Sequence, residues 1–186
     1  LQASLNGNLM TTAAYDEYGN QSSLADKNAG TNTYVYDAFK QLVSKTNPAG
    51  QTTTMTYDPF GRIVSRTGPE GATGFEYWKE AATGYVNDNI TKISGFSGDI
   101  KEYTYDNLRR NTSEKVTVDG LSYTTQYGYD TYSNVAKTTY PSGIIITRAF
   151  DHDGTVTAVK LGEGATASSL FTATGMNGLG KYTNYS

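Results

Sequence analysis

Tyr57-Asp-Pro-Phe-Gly-Arg-Ile63 decides how this chain is read. A carboxylate at Asp58 can accept hydrogen bonds from backbone amides two residues on, and Gly61 supplies the left-handed position that closes such a turn. The residues before it, Thr54-Met-Thr-Tyr57, alternate large side chains with threonine, the period of two of a half-buried strand. The residues after it, Arg62-Ile-Val-Ser-Arg66, again have strand character and run into Gly68-Pro-Glu-Gly71, where Pro pre-sets φ and Gly tolerates φ > 0. Two strands and two turns make a β-hairpin unit of about 21 residues, and one hairpin alone is marginal in water.

The unit recurs, so the internal repeat governs everything else. Tyr15-Asp16, Tyr36-Asp37, Tyr57-Asp58, Tyr105-Asp106 and Tyr129-Asp130 repeat the dipeptide, and Phe150-Asp151 is a near copy. The spacings are 21, 21, 48, 24 and 21 residues. The interval of 48 hides a unit, which Gly84-Tyr-Val-Asn-Asp-Asn-Ile90 fills when laid on residues 57–63. Met176-Asn-Gly-Leu-Gly-Lys181 is a weak eighth copy. A glycine stands fourteen residues after the start of several units (Gly50, Gly71, Gly98, Gly143, Gly164), with Pro48, Pro69 and Pro141 two residues before three of them. Strands of the same alternating kind lead into the aromatic at Thr33-Tyr-Val-Tyr36, Glu102-Tyr-Thr-Tyr105 and Gln126-Tyr-Gly-Tyr129.

The expected fold is all-β: tandem hairpins pairing edge to edge into one extended, curved antiparallel sheet that buries a continuous tyrosine and aliphatic face. Residues 1–14 read as an N-terminal cap or partial repeat. Residues 15–182 read as about eight repeats starting near 15, 36, 57, 84, 105, 129, 150 and 176, and 183–186 as a tail. Residues 72–83 and 165–175 read as insertions, either longer strands or a protruding loop.

Composition removes several functions. Of 186 residues 15 are Lys or Arg and 18 are Asp or Glu, giving a net charge of −3 with no basic patch, which speaks against nucleic acid. The longest aliphatic run is Ile144-Ile145-Ile146, far short of a membrane span. Residues 1–20 show no basic region followed by an apolar stretch, so no signal peptide is read there. There is no Cys and a single His, His152, which removes disulfides, thiolate chemistry and multi-His or Cys-ligated metal sites. Aromatics make up 12% of the chain, 16 of them Tyr, so the apolar mass has moved into tyrosine, which with threonine favours half-buried strands.

Tyr57-Asp-Pro-Phe-Gly-Arg-Ile63 followed by Gly-Pro-Glu-Gly71 resembles the YD repeat of Rhs proteins, and the likeness runs over about residues 15–182. That superfamily includes bacterial polymorphic toxins, the B and C subunits of Tc toxin complexes, wall-associated proteins and animal teneurins. The resemblance implies a long antiparallel sheet spiralling into a hollow shell, which in the toxins encloses a C-terminal effector. It implies a secreted or cell-surface protein, and partners that are flanking repeats and the C-terminal effector of a parent polypeptide. Shells of this kind need far more than eight repeats, so the chain resembles an arc of the wall. The family's core segment with the aspartates of an autoproteolytic site has no match here.

Each candidate site has a plainer reading beside it. Two of Asp16, Asp37, Asp58, Asp106, Asp130 and Asp151 could act as an acid and base pair, but chemistry needs one pair and these recur once per unit, as turn caps do. Asp151-His-Asp-Gly154 starts like a calcium loop, yet the fifth position is Thr155 and the twelfth Gly162, which leaves a turn. His152 has no serine nucleophile signature near it and reads as an exposed turn residue. The tyrosine columns (Tyr34, Tyr36, Tyr103, Tyr105, Tyr127, Tyr129) read as cross-strand packing before they read as a sugar-stacking surface. Trp78 lies outside the repeat pattern and reads as local packing before it reads as a contact with a ligand or partner. Asn-x-Ser/Thr at Asn20, Asn89, Asn111 and Asn184 would accept glycans only in a secreted eukaryotic protein. No cofactor or metal is expected. The function expected is structural and non-catalytic, a segment of an Rhs-type shell around a toxin. The alternative is an extracellular module binding surface glycans or a protein. An isolated arc has two open edges, so it is expected either to self-associate through an edge or to carry terminal segments that cover it, residues 1–14 and 163–186 being the candidates.

Overall fold

The computed structural model describes residues 2–5, 8–80, 83–177 and 181–186. The chain divides into two compact units, residues 1–98 and 99–186. The first holds β1 (Gln2–Leu5), β2 (Asn8–Tyr15), β3 (Gln21–Asp26), β4 (Gly30–Tyr36), β5 (Leu42–Thr46), β6 (Thr52–Tyr57), β7 (Ile63–Gly68), β8 (Gly71–Lys79) and β9 (Val86–Ser94). The second holds β10 (Ile100–Tyr105), β11 (Asn111–Val118), β12 (Leu121–Tyr129), β13 (Val135–Thr139), β14 (Ile145–Phe150), β15 (Val156–Leu161), β16 (Ser168–Met176) and β17 (Tyr182–Tyr185). Apart from one 3-10 turn at Gly164–Thr166, every regular element is a strand. Within each unit, successive strands pair antiparallel, each with the next in the chain.

A β-bulge recurs where the repeat begins. In the pair β6/β7, Thr56 faces Ser65 but Tyr57 faces Ile63, so Val64 is an extra residue. The same one-residue shift precedes Tyr15, Tyr36, Tyr105, Tyr129, Phe150 and Met176. It also precedes Tyr77, which faces Ile90 after Glu76 has faced Lys92. A bulge adds twist and re-aims the side chain that follows it, which sets the residue at the mouth of its turn in every case but Tyr77, where Trp78 and Lys79 continue β8. The unit placed from sequence at residue 84 therefore has its bulge at Tyr77. Its turn is the longer Glu80–Tyr85 connection, closed by Glu80 N–H to Tyr85 O at 2.8 Å, and residues 86–88 already belong to β9. The 72–83 insertion is mostly strand β8, nine residues long, and residues 81–82 lie outside the described residues. Residues 178–180 of the eighth copy also lie outside them, while Asn177 and Lys181 on either side pair through Asn177 N–H to Lys181 O at 2.9 Å.

Alternation gives the strands two unlike faces. On β4, Tyr34 and Tyr36 are half-buried while Thr31, Thr33 and Val35 are exposed; on β6, Met55 and Tyr57 are half-buried while Thr52, Thr54 and Thr56 are exposed. The polar face is laced by hydroxyl pairs such as Thr46 with Thr52 at 2.9 Å, Thr104 with Ser113 at 2.7 Å and Thr117 with Ser122 at 2.9 Å.

The expected burial of a continuous apolar face does not occur. Among the described residues no hydrophobic side chain is fully buried, and the one buried residue is Thr138 at 5% exposure. The chain exposes 12243 Å², against about 8,700 Å² for a compact monomer of 20.1 kDa. Within each unit the strands lie side by side, and the half-buried tyrosines are covered by strand neighbours and by cations such as Arg62 over Tyr77 and Arg110 over Tyr129.

Candidate functional site

The repeated turn is the feature around which polar chemistry gathers. In all six aromatic-Asp turns the Asp Oδ1 accepts two backbone N–H groups, from the residues two and four positions on. The pairs are Tyr18 and Asn20 on Asp16, Phe39 and Gln41 on Asp37, Phe60 and Arg62 on Asp58, Leu108 and Arg110 on Asp106, Tyr132 and Asn134 on Asp130, and Asp153 and Thr155 on Asp151. The backbone closes as well: Asp58 N–H donates to Arg62 O at 2.9 Å and Gly61 N–H to Asp58 O at 3.0 Å. The residue three positions after Asp takes a left-handed φ: 82° at Gly61, and 64°, 64° and 71° at Lys40, Arg109 and Ser133. Asn47-Pro-Ala-Gly-Gln51 builds the same turn at the opposite end of a hairpin, with Asn47 Oδ1 accepting from Ala49 and Gln51 N–H.

The second carboxylate oxygen is engaged in four of the six. Asn20 and Asn134 donate their amides to Asp16 and Asp130 at 2.9 Å. Arg62 Nε donates to Asp58 Oδ2 at 2.8 Å and Arg110 Nε to Asp106 Oδ2 at 2.7 Å. Each arginine also lies over the next tyrosine of the repeat: the Arg62 guanidinium carbon is 4.3 Å from the Tyr77 ring centroid and that of Arg110 is 4.4 Å from Tyr129. Those tyrosines then reach back, Tyr77 OH donating to Ile63 O at 2.9 Å and Tyr129 OH to Asn111 O at 2.7 Å. Tyr57 does the same to Leu42 O at 2.8 Å. Sequence reading missed this Asp, Arg, Tyr interlock, although Arg62 and Arg110 stand at the same place after their aspartates.

These contacts shift the titrations. The Asn20 amide holds Asp16, and the Asn134 amide Asp130, below the usual carboxylate range. Backbone N–H of Arg110 leads the lowering at Asp106. At Asp58 burial works to raise the pKa, but the Arg62 guanidinium and the amides of Arg62 and Phe60 outweigh it and the net shift is down. Burial pushes Tyr77, Tyr105 and Tyr127 up. A carboxylate held ionised by turn amides is a cap and a poor proton donor.

The other candidates are dispersed. His152 is exposed, with Nδ1 3.1 Å from Asp153 Oδ1. No group of three metal-ligating side chains gathers among the described residues. Trp78 is half-buried and meets Tyr85 edge to face, ring centroids 6.3 Å apart. Large apolar side chains are conspicuous at the turn tips: Phe39 is 85% exposed, Phe60 71% and Tyr132 74%, with Tyr18 and Leu108 similarly bare.

Residues 36–73 match the family described as RHS Repeat. No curated protein sequence matches the chain. The fold is similar to that of TcdB2-TccC3-TEV, with a TM-score of 0.74 and 16% identity over 94% of this chain and 10% of that one. It is similar to TcdB2-TccC3 at a TM-score of 0.69 and 14% identity over 96% of this chain and 12% of that one. The Photorhabdus luminescens Tc holotoxin pore gives 0.55 and 14% over 95% and 11%. The chain thus spans about a tenth of the length of the solved chains it resembles.

Proposed function

We propose, from a chain that carries the RHS repeat, that these hairpins are a stretch of shell wall whose work is mechanical: to enclose or scaffold a C-terminal effector of a longer polypeptide. The observation that carries this reading is that the strands of each unit pair with their sequence neighbours while no apolar residue among those described is fully buried. A sheet of this kind gains its covering from whatever it surrounds or from neighbouring repeats. The turn aspartates act as caps, and no residue is assigned a catalytic role. Among the described residues no helix is long and apolar enough to cross a membrane. We place the parent polypeptide among secreted toxins on the strength of the fold likeness alone.

Native proteolysis of the longer polypeptide, with its downstream segment attached, tests the reading. Survival of that segment for as long as the repeats stay intact supports enclosure. Its immediate loss while the repeats persist overturns enclosure and points to a surface scaffold.

A further inference from the structure

Arg148 breaks the pattern of paired arginines. Arg62, Arg66 and Arg110 each face a carboxylate. Arg148, half-buried on β14, makes one hydrogen bond, Nη1 to Thr138 Oγ1 at 3.0 Å, and meets no carboxylate among the described residues. It lines a hollow of about 470 Å³ with Thr125, Tyr127, Tyr140 and Phe150. Tyr140 is shared with a second, apolar hollow of about 700 Å³ formed with Tyr123, Pro141, Ile144 and Ile146. Glu114, the cross-strand partner of Thr125, sits three strands along the sheet from Arg148; its charge reaches Tyr127 of the same hollow, but it forms no ion pair with Arg148.

We propose that this double hollow binds an extended peptide segment, a carboxylate side chain on Arg148 and an adjoining aliphatic side chain against Tyr123, Ile144 and Ile146. Charge complementarity selects the carboxylate: a guanidinium with four unused donors and a fork geometry favours bidentate oxygen ligands. The annex selects the aliphatic neighbour, since its lining offers few groups for the directional hydrogen bonds a sugar needs. This groove lies wholly within residues 99–186 and does not depend on the wall being closed.

Calorimetric titration of the 186-residue chain with an end-capped hexapeptide, one glutamate flanked by leucines, tests it. Saturable binding is expected, with Arg148→Gln and replacement of the peptide's glutamate by glutamine each weakening it about tenfold, and no further loss when the two are combined. Ile144→Glu, at an exposed position, is expected to weaken binding about as much by repulsion while leaving the unfolding transition in place. This keeps the test decisive if Arg148→Gln disturbs the fold. No binding, an unchanged affinity in Ile144→Glu, additive losses in the combined experiment, or tighter binding of sialyllactose than of the peptide overturns the proposal.

Discussion

The Arg62 guanidinium lies 4.3 Å from the centroid of the Tyr77 ring, so the turn of one hairpin is clamped to the first residue of the next. The same arginine donates to Asp58 Oδ2 and to Asn87 O. A lysine could keep the charge but could not fork between a carboxylate, a carbonyl and a ring. Arg62→Lys and Arg110→Lys are each expected to lower unfolding free energy by about 1 kcal/mol, and Arg66→Lys, in an exposed pair, by close to zero. Urea denaturation of the three variants checks the order.

The lowered aspartates set the acid limb of stability. Asp16, Asp58, Asp106 and Asp130 have folded pKa values below the 3.8 of the free group. Their contribution is therefore fully present above that value and is lost as pH falls through the folded values. A plot of urea midpoint against pH should be flat above about pH 5 and fall below about pH 4, with a shallower fall in Asp58→Asn. A midpoint that rises on acidification would contradict this account.

Removing the Tyr77 or Tyr129 hydroxyl leaves the carbonyl of Ile63 or Asn111 without its donor. Tyr77→Phe and Tyr129→Phe should each cost about 1 kcal/mol. Tyr132→Phe, at an exposed turn tip, should be silent in the same thermal or chemical melts.

The left-handed turn position separates glycine from every other residue. A Cβ at Gly61 would lie 2.9 Å from Gln41 Nε2 and sit on a backbone at φ 82°. Gly61→Ala should lower stability by about 1 to 2 kcal/mol. Lys40→Gly relieves a φ of 64° but forfeits the bond from Lys40 Nζ to Tyr18 O, so a change within about 1 kcal/mol is expected.

Phe39 and Phe60 stand 85% and 71% exposed at their turn tips, and apolar side chains this bare are expected to promote self-association. The double variant Phe39→Ser with Phe60→Ser should keep its unfolding midpoint and show less concentration-dependent mass in light scattering. Equal self-association in both proteins would move the contact to the strand edges.

The turns were legible in the sequence because their chemistry is local: an aspartate that caps amides two and four residues on, and a glycine that tolerates φ > 0, announce themselves at fixed offsets. The Tyr77 hairpin was displaced because its turn, Glu80–Tyr85, has neither the aspartate nor the usual length, leaving only the bulge to mark it, and a bulge has no residue code. The Tyr77 and Tyr129 clamps were missed although Arg62 and Arg110 stood at matching offsets, because their ring partners lie in the following repeat. The absence of a buried core could not be read from composition, which counts apolar side chains and says nothing of what covers them. Arg148 is set apart only by its neighbours in space, which no local offset in the sequence marks.

Within each unit every pairing among the described residues joins strands adjacent in sequence, so a hairpin pairs with the one before it and the one after. A gene that duplicates or deletes one 20- to 28-residue repeat then changes the length of the ribbon without remaking any contact elsewhere. Length becomes a matter of copy number: evolution can resize such a sheet in whole hairpins, keeping the joint constant while the sequences between joints drift.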